Sequence, residues 1–151
     1  MKKLVSFLAV CALLMLVVSC DFAPVVVTVH VYDEAGHDRL DPNSAYFIGE
    51  NIHAVYDGKV YPVEIIVPET KAYSAYFFGL RLRQSWGYND YFLEFGEFDG
   101  AENQDVSVTL VWPDGTSDTI HTTHIRFTPL AVVNTWKLNG KKVSPPITLV
   151  K

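Results

Sequence analysis

The chain has 151 residues, 49% hydrophobic and 13% aromatic, and carries 17 Asp and Glu against 12 Lys and Arg for a net charge of −5. A body of this sign gains nothing from counterion release on DNA or RNA, which disfavours nucleic acid as a partner. The two cysteines, Cys11 and Cys20, both lie near the amino terminus, so the rest of the chain must be held by packing without a disulfide, and its length suits one domain.

The first element is an address. Lys2 and Lys3 precede an apolar run over residues 4–18, followed by Ser19, Cys20 and Asp21. A charged start, an apolar middle and a small residue at the cut are the parts of an export signal, and the run falls short of the ~20 apolar residues of a bilayer span. Val17, Val18, Ser19 and Cys20 resemble the lipobox of bacterial lipoproteins. The resemblance implies cleavage before Cys20, acylation of its thiol and amino group, palmitate included, and a membrane anchor in a Gram-negative cell envelope. The outer membrane is preferred over the inner, although Asp21 resembles an inner-membrane retention cue of enteric bacteria. Two or three acyl chains at ~0.8 kcal/mol per buried methylene make such an anchor effectively permanent. Losing residues 1–19 removes Lys2 and Lys3 and no acid, which leaves 10 basic against 17 acidic side chains and a body that stands off anionic headgroups. The expected organisation is a signal peptide over 1–19, a lipidated cysteine with a short tether over 20–24, and one β domain over 25–151.

Beyond the tether the chain reads as strands. Residues 25–32 alternate, with Val25, Val27, Val29 and Val31 on one face and Val26, Thr28, His30 and Tyr32 on the other. Residues 33–49 are rich in Asp, Asn, Gly and Pro and read as a long loop. Strands over 52–56 and 59–67 flank Asp57-Gly58, a hairpin pair that accepts positive φ, and Pro62 predicts an edge position for the second. Residues 72–83 place Tyr76, Phe78, Leu80 and Leu82 on one side and Tyr73, Phe77, Arg81 and Arg83 on the other; residues 84–90 turn, and 91–98 form the next strand. Val106, Val108, Leu110 and Trp112 make an inward row, 116–127 runs back after Pro113-Asp114-Gly115, and 131–138 leads into a second hairpin signal, Asn139-Gly140. Residues 147–150 close an edge. With no convincing helix, the pattern predicts an all-β, two-sheet antiparallel sandwich of about seven to nine strands, immunoglobulin-like or transthyretin-like, with a closed barrel as the alternative.

Candidate chemistry is sparse. His30, His53, His121 and His124 lie in strands, but residues three apart such as His121 and His124 face opposite ways, so rim histidines are expected rather than a zinc site. The acidic stretches at Asp33-Glu34, at Asp38 and Asp41, and at 99–105 offer oxygen ligands, making calcium the one metal worth considering; no other cofactor is expected, and turn chemistry explains them first. Glu94 and Glu97 would face opposite ways in a regular strand, and no nucleophile elbow or mature cysteine is present, so a hydrolase is a distant third reading.

The more informative feature is an aromatic second face on two neighbouring strands, where Tyr73, Phe77, Arg81 and Arg83 would lie near Phe92, Glu94 and Phe98. It is covered by the 84–90 loop, by a partner or by a ligand. Trp86, Tyr88, Asn89, Asp90 and Tyr91 suit sugar stacking and equally suit an interface hot spot. The sequence therefore points to a non-catalytic, lipid-anchored binding or assembly module for an envelope protein, with a glycan-binding lipoprotein as the alternative.

Overall fold

The computed structural model describes residues 23–65, 77–85, 90–128 and 131–151, so Cys20, Tyr73, Trp86, Tyr88 and Asn89 lie outside the described residues. The fold is all-β. Its strands are β1 (Val25–Tyr32), β2 (His53–Tyr56), β3 (Lys59–Ile65), β4 (Leu80–Gln84), β5 (Tyr91–Phe98), β6 (Gln104–Val111), β7 (Ser117–Thr128), β8 (Ala131–Leu138), β9 (Lys141–Val143) and β10 (Ile147–Val150). The only helix among the described residues is one 3-10 turn, Gly49–Asn51.

All ten strands share one mixed ladder in the order β10-β1-β5-β4-β3-β2-β6-β7-β8-β9, nearly closed into a barrel. The expectation was two sheets of seven to nine strands. The continuity comes from β3, whose first half pairs with β2 (His53 opposite Pro62) and whose second half pairs in parallel with β4 (Val63 opposite Leu80). β3 is therefore not an edge strand. Pro62 is tolerated because the Val63 N–H donates to Ile52 O at 3.1 Å, so by alternation the Pro62 nitrogen faces away from β2, just before the β4 ladder begins. The tenth strand, β9, is the short return arm of the Asn139-Gly140 hairpin, where both residues have positive φ, as do Asp57 and Gly58 in the other.

The inward faces make one core. Val27, Val29 and Val31 of β1 meet Leu80 and Leu82 of β4 and Leu93 and Phe95 of β5, while Val106, Val108, Leu110 and Ile120 line the other half. Tyr56, Tyr61, Phe78, Phe95 and Phe98 form an aromatic knot with edge-to-face contacts such as Phe78–Phe98 at 5.4 Å and Tyr61–Phe95 at 5.4 Å. Each such pair contributes about 0.5–1.5 kcal/mol beyond the area it buries.

Phe98 reaches this knot by a bulge. Val26 pairs with Gly96 but Val25 pairs with Phe98, so Glu97 is an extra residue in β5. Gly96 and Glu97 carry φ of 98° and 136°, and a Cβ at Gly96 would overlap the Phe98 ring. The insertion swaps the faces after it: Phe98, expected outside beside Phe92, points inward, and Glu97, expected opposite Glu94, joins it outside.

Lys151 ties β10, at one end of the ladder, to β7. Its N–H donates to Tyr32 O at 2.8 Å beside the parallel β1–β10 pair, and its Nζ meets Asp118 Oδ2 of β7 at 2.6 Å. Asp118 also accepts from Trp112 Nε1 and Asn139 Nδ2, each at 2.7 Å. Burial alone would raise the Asp118 pKa, but donation from Lys151, Asn139 and Trp112 outweighs it and holds the carboxyl below its ordinary 3.8. A group with a depressed folded pKa stabilises above its unfolded value and loses that stability as pH falls through the folded one. Urea unfolding should therefore find Asp118→Asn less stable than wild type by about 1–3 kcal/mol at neutral pH. The gap should narrow below about pH 4. A gap that stays constant into strong acid contradicts the assignment.

Candidate functional site

The outward face of β1, β5 and β4 gathers several of the residues singled out from sequence. Cross-strand register sets Thr28, Glu94 and Arg81 in one row, and Arg83 opposite Phe92 in the next. Arg81 Nε donates to Glu94 Oε2 at 2.6 Å and its Nη2 to Glu97 Oε1 at 2.8 Å, while Arg83 Nη1 reaches Glu94 Oε2 at 3.1 Å. The Phe77 N–H donates to Glu97 Oε2 at 3.0 Å, and its ring covers the Arg81 guanidinium at 4.4 Å. Arg81 and Glu94 are only 8% and 9% exposed. Burial works against the Arg81 charge, yet the paired Glu94 and Glu97 carboxylates raise its pKa. Chemically the cluster holds charge in place: the bulge brings two carboxylates onto one guanidinium, which binds one oxygen of each.

Beside it, Tyr32 Oη donates to Asp90 Oδ1 at 2.7 Å, and burial, with Asp90 and Asp38 nearby, pushes the phenol up to about 12. His30 Nδ1 lies 3.1 Å from Asp90 Oδ2 but is not aligned for a hydrogen bond. Tyr91 does not belong to this surface. Odd residues of β5 face inward up to the bulge, so Tyr91 packs against the core while its N–H is held by Asp38 Oδ2 at 2.9 Å.

The remaining candidates disperse. His121 and His124 do face opposite sides of β7, but His124 is buried rather than at the rim, with Nδ1 2.7 Å from Asn134 Oδ1 and Nε2 3.1 Å from Gly100 O. Asp33, Asp38, Asp41 and Asp99 each accept a backbone N–H two residues ahead, which is turn chemistry. No group of three His, Cys, Asp or Glu that could hold a metal ion occurs among the described residues.

A second surface, not anticipated from sequence, lies where β7, β8 and β9 end the ladder. β9 pairs only with Trp136, Lys137 and Leu138, so among the described residues 131–135 of β8 have a ladder on the β7 side alone. The Asn139 N–H donates to Thr119 O of the β7 side. By alternation the backbone groups of Val133 and Thr135 also face β7, and those of Val132 and Asn134 face outward. Exposed apolar side chains crowd this end: Phe127 at 69%, Val133 at 49%, Val132 at 42% and Ile125 at 37%. Phe127 is the bulged residue between Arg126 and Thr128 and lines a shallow recess with Ala101 and Asn103. The available signal was the unbroken Ala131-Val132-Val133 run followed by a hairpin arm too short to cover it.

The ionic face yields a test. Arg81→Ala leaves Glu97 without an ionic partner and Glu94 with only the half-exposed Arg83, and should cost about 3–5 kcal/mol in urea unfolding, whereas Arg81→Met with Glu94→Met should recover part of that loss. Additive losses in the double variant contradict the coupling.

No protein-family model, curated protein or solved structure matches this chain.

Proposed function

We propose that this protein is a lipid-anchored module of the cell envelope that binds a partner protein and does not transform a substrate. Cys20 carries the anchor, and the working surface is the β7–β9 end of the sheet. The observation that supports this most is the half-paired edge of β8, where the backbone groups of Val132 and Asn134 point away from β7 beside four exposed apolar side chains. Exposed edges are templates for strand addition, in which main-chain hydrogen bonds supply affinity and side-chain rows supply selectivity. In this reading the one continuous ladder is taken as two layers over a shared core, with β8 and β9 at the outer end of the second. Glycan binding on the β1–β5–β4 face is the weaker reading, because Arg81, Arg83, Glu94 and Glu97 already satisfy one another and have less to offer sugar hydroxyls.

Photo-crosslinking in intact cells tests it. A crosslinker at Val133 should give a discrete adduct that disappears when Val132→Pro is added, while one at exposed Val60 of β3 should not. Proline at Val132 removes an outward N–H and no β7 bond, so folding is preserved. Equal adducts from both sites, or an adduct indifferent to Val132→Pro, overturn the docking surface. In the same cells Cys20→Ala should accumulate a longer, unacylated precursor, and ordinary processing of that variant overturns the anchor.

A further inference from the structure

The β8 edge has a charge pattern that specifies its occupant. Among the described residues five lysines are present, and only Lys151 is ion-paired. Of the four without a carboxylate partner, Lys137, Lys141 and Lys142 sit together on β8 and β9, and only Lys59 lies elsewhere. Lys137 and Lys142 stand directly opposite each other. Since Leu138 and Lys141 close the two-residue turn, Lys137–Lys142 is a non-hydrogen-bonded pair, the kind whose side chains lie closest. Like charges so placed destabilise a sheet, and in an acidic chain they concentrate positive potential at one end. Lysines commonly blunt an exposed edge, and that accounts for β9's own outer side. It does not account for residues 131–135, which carry no charge, are apolar at Ala131, Val132 and Val133, and among the described residues have no strand beside them on the outer side.

Resting on the docking surface proposed above, we infer that its occupant is an extended acidic segment of a partner protein that adds as a strand to residues 131–135 of β8. Its main chain bonds to Val132 and Asn134. Its apolar residues cover Val132, and its carboxylates, on the opposite face beside Val133 and Thr135, reach Lys137 and Lys142 across the diagonal.

The test uses full-length protein in a neutral detergent and three labelled seven-residue peptides alternating valine with glutamate, with lysine or with threonine, read by fluorescence anisotropy. The glutamate peptide should bind most tightly and the lysine peptide least. Lys137→Gln with Lys142→Gln should weaken the glutamate peptide roughly five- to tenfold while leaving the threonine peptide unchanged. Raising salt toward 1 M, where the screening length is about 3 Å, should erase the same difference. Val132→Pro should abolish binding of both. If the threonine and glutamate peptides bind equally and both are lost in Val132→Pro, strand addition stands and the acidic preference falls. Peptide binding that survives Val132→Pro removes the edge itself. Concentration-dependent self-association without peptide, lost in Val132→Pro, identifies a second copy as the occupant and overturns the inference.

Discussion

One inserted residue organises the centre of this protein. Strand side chains alternate with period two, so the extra residue at Gly96-Glu97 exchanges inside for outside over the rest of β5. Phe98 is turned into the aromatic knot with Tyr56, Phe78 and Phe95, and Glu97 is turned out to share Arg81 with Glu94. A regular strand would expose a phenylalanine and direct a carboxylate into an apolar core, where an unpaired charge costs several kcal/mol at least. Glycine is required at 96 because its φ is positive and the Phe98 ring occupies the place of a Cβ.

From that centre the ladder ends differently on its two sides. Toward β10 it is secured: the parallel pairing with β1 is extended by Lys151, whose Nζ lies on Asp118 and 5.1 Å over the Trp112 ring. Toward β9, among the described residues, it is left half-finished, since a three-residue arm covers less than half of β8. The Asp118 carboxylate is buried under three donors, while valines and lysines without a carboxylate partner are exposed along β8 and β9, so polar satisfaction is unevenly distributed. The unsatisfied end is where a partner gains most by binding.

Much of the fold was legible locally. The alternating valines of β1, the inward row Val106-Val108-Leu110-Trp112 and the Asp57-Gly58 and Asn139-Gly140 turns all encode their structure within a few residues. What escaped was set at long range or by a parity change. Pro62 reads as an edge residue until β4 arrives to pair only beyond it. Phe98 and Glu97 read on the wrong faces because nothing in the local pattern marks Gly96 as a bulge. Tyr91, grouped with Trp86 and Tyr88, turns out to share the inward parity of Leu93 and Phe95. The candidate aromatic face was legible as a cluster, with Phe77, Arg81, Arg83, Phe92 and Glu94 on one side of the sheet, but its pairing into an ion network depends on the bulge. The β8 edge left only a local hint, the Ala131-Val132-Val133 run before a short hairpin arm, because which strand lacks a neighbour is a property of the whole ladder.

Among the described residues β8 is half-paired, and its outward backbone groups at Val132 and Asn134 are the proposed contact for a partner. Residue-resolved hydrogen exchange on the full-length protein tests this most directly, because alternate amides of one strand face different surroundings. Slow exchange is expected at Val133 and Thr135, whose N–H groups face β7, and fast exchange at Val132 and Asn134. Uniform protection across all four amides would mean that the edge is already occupied within the protein, and would contradict the account.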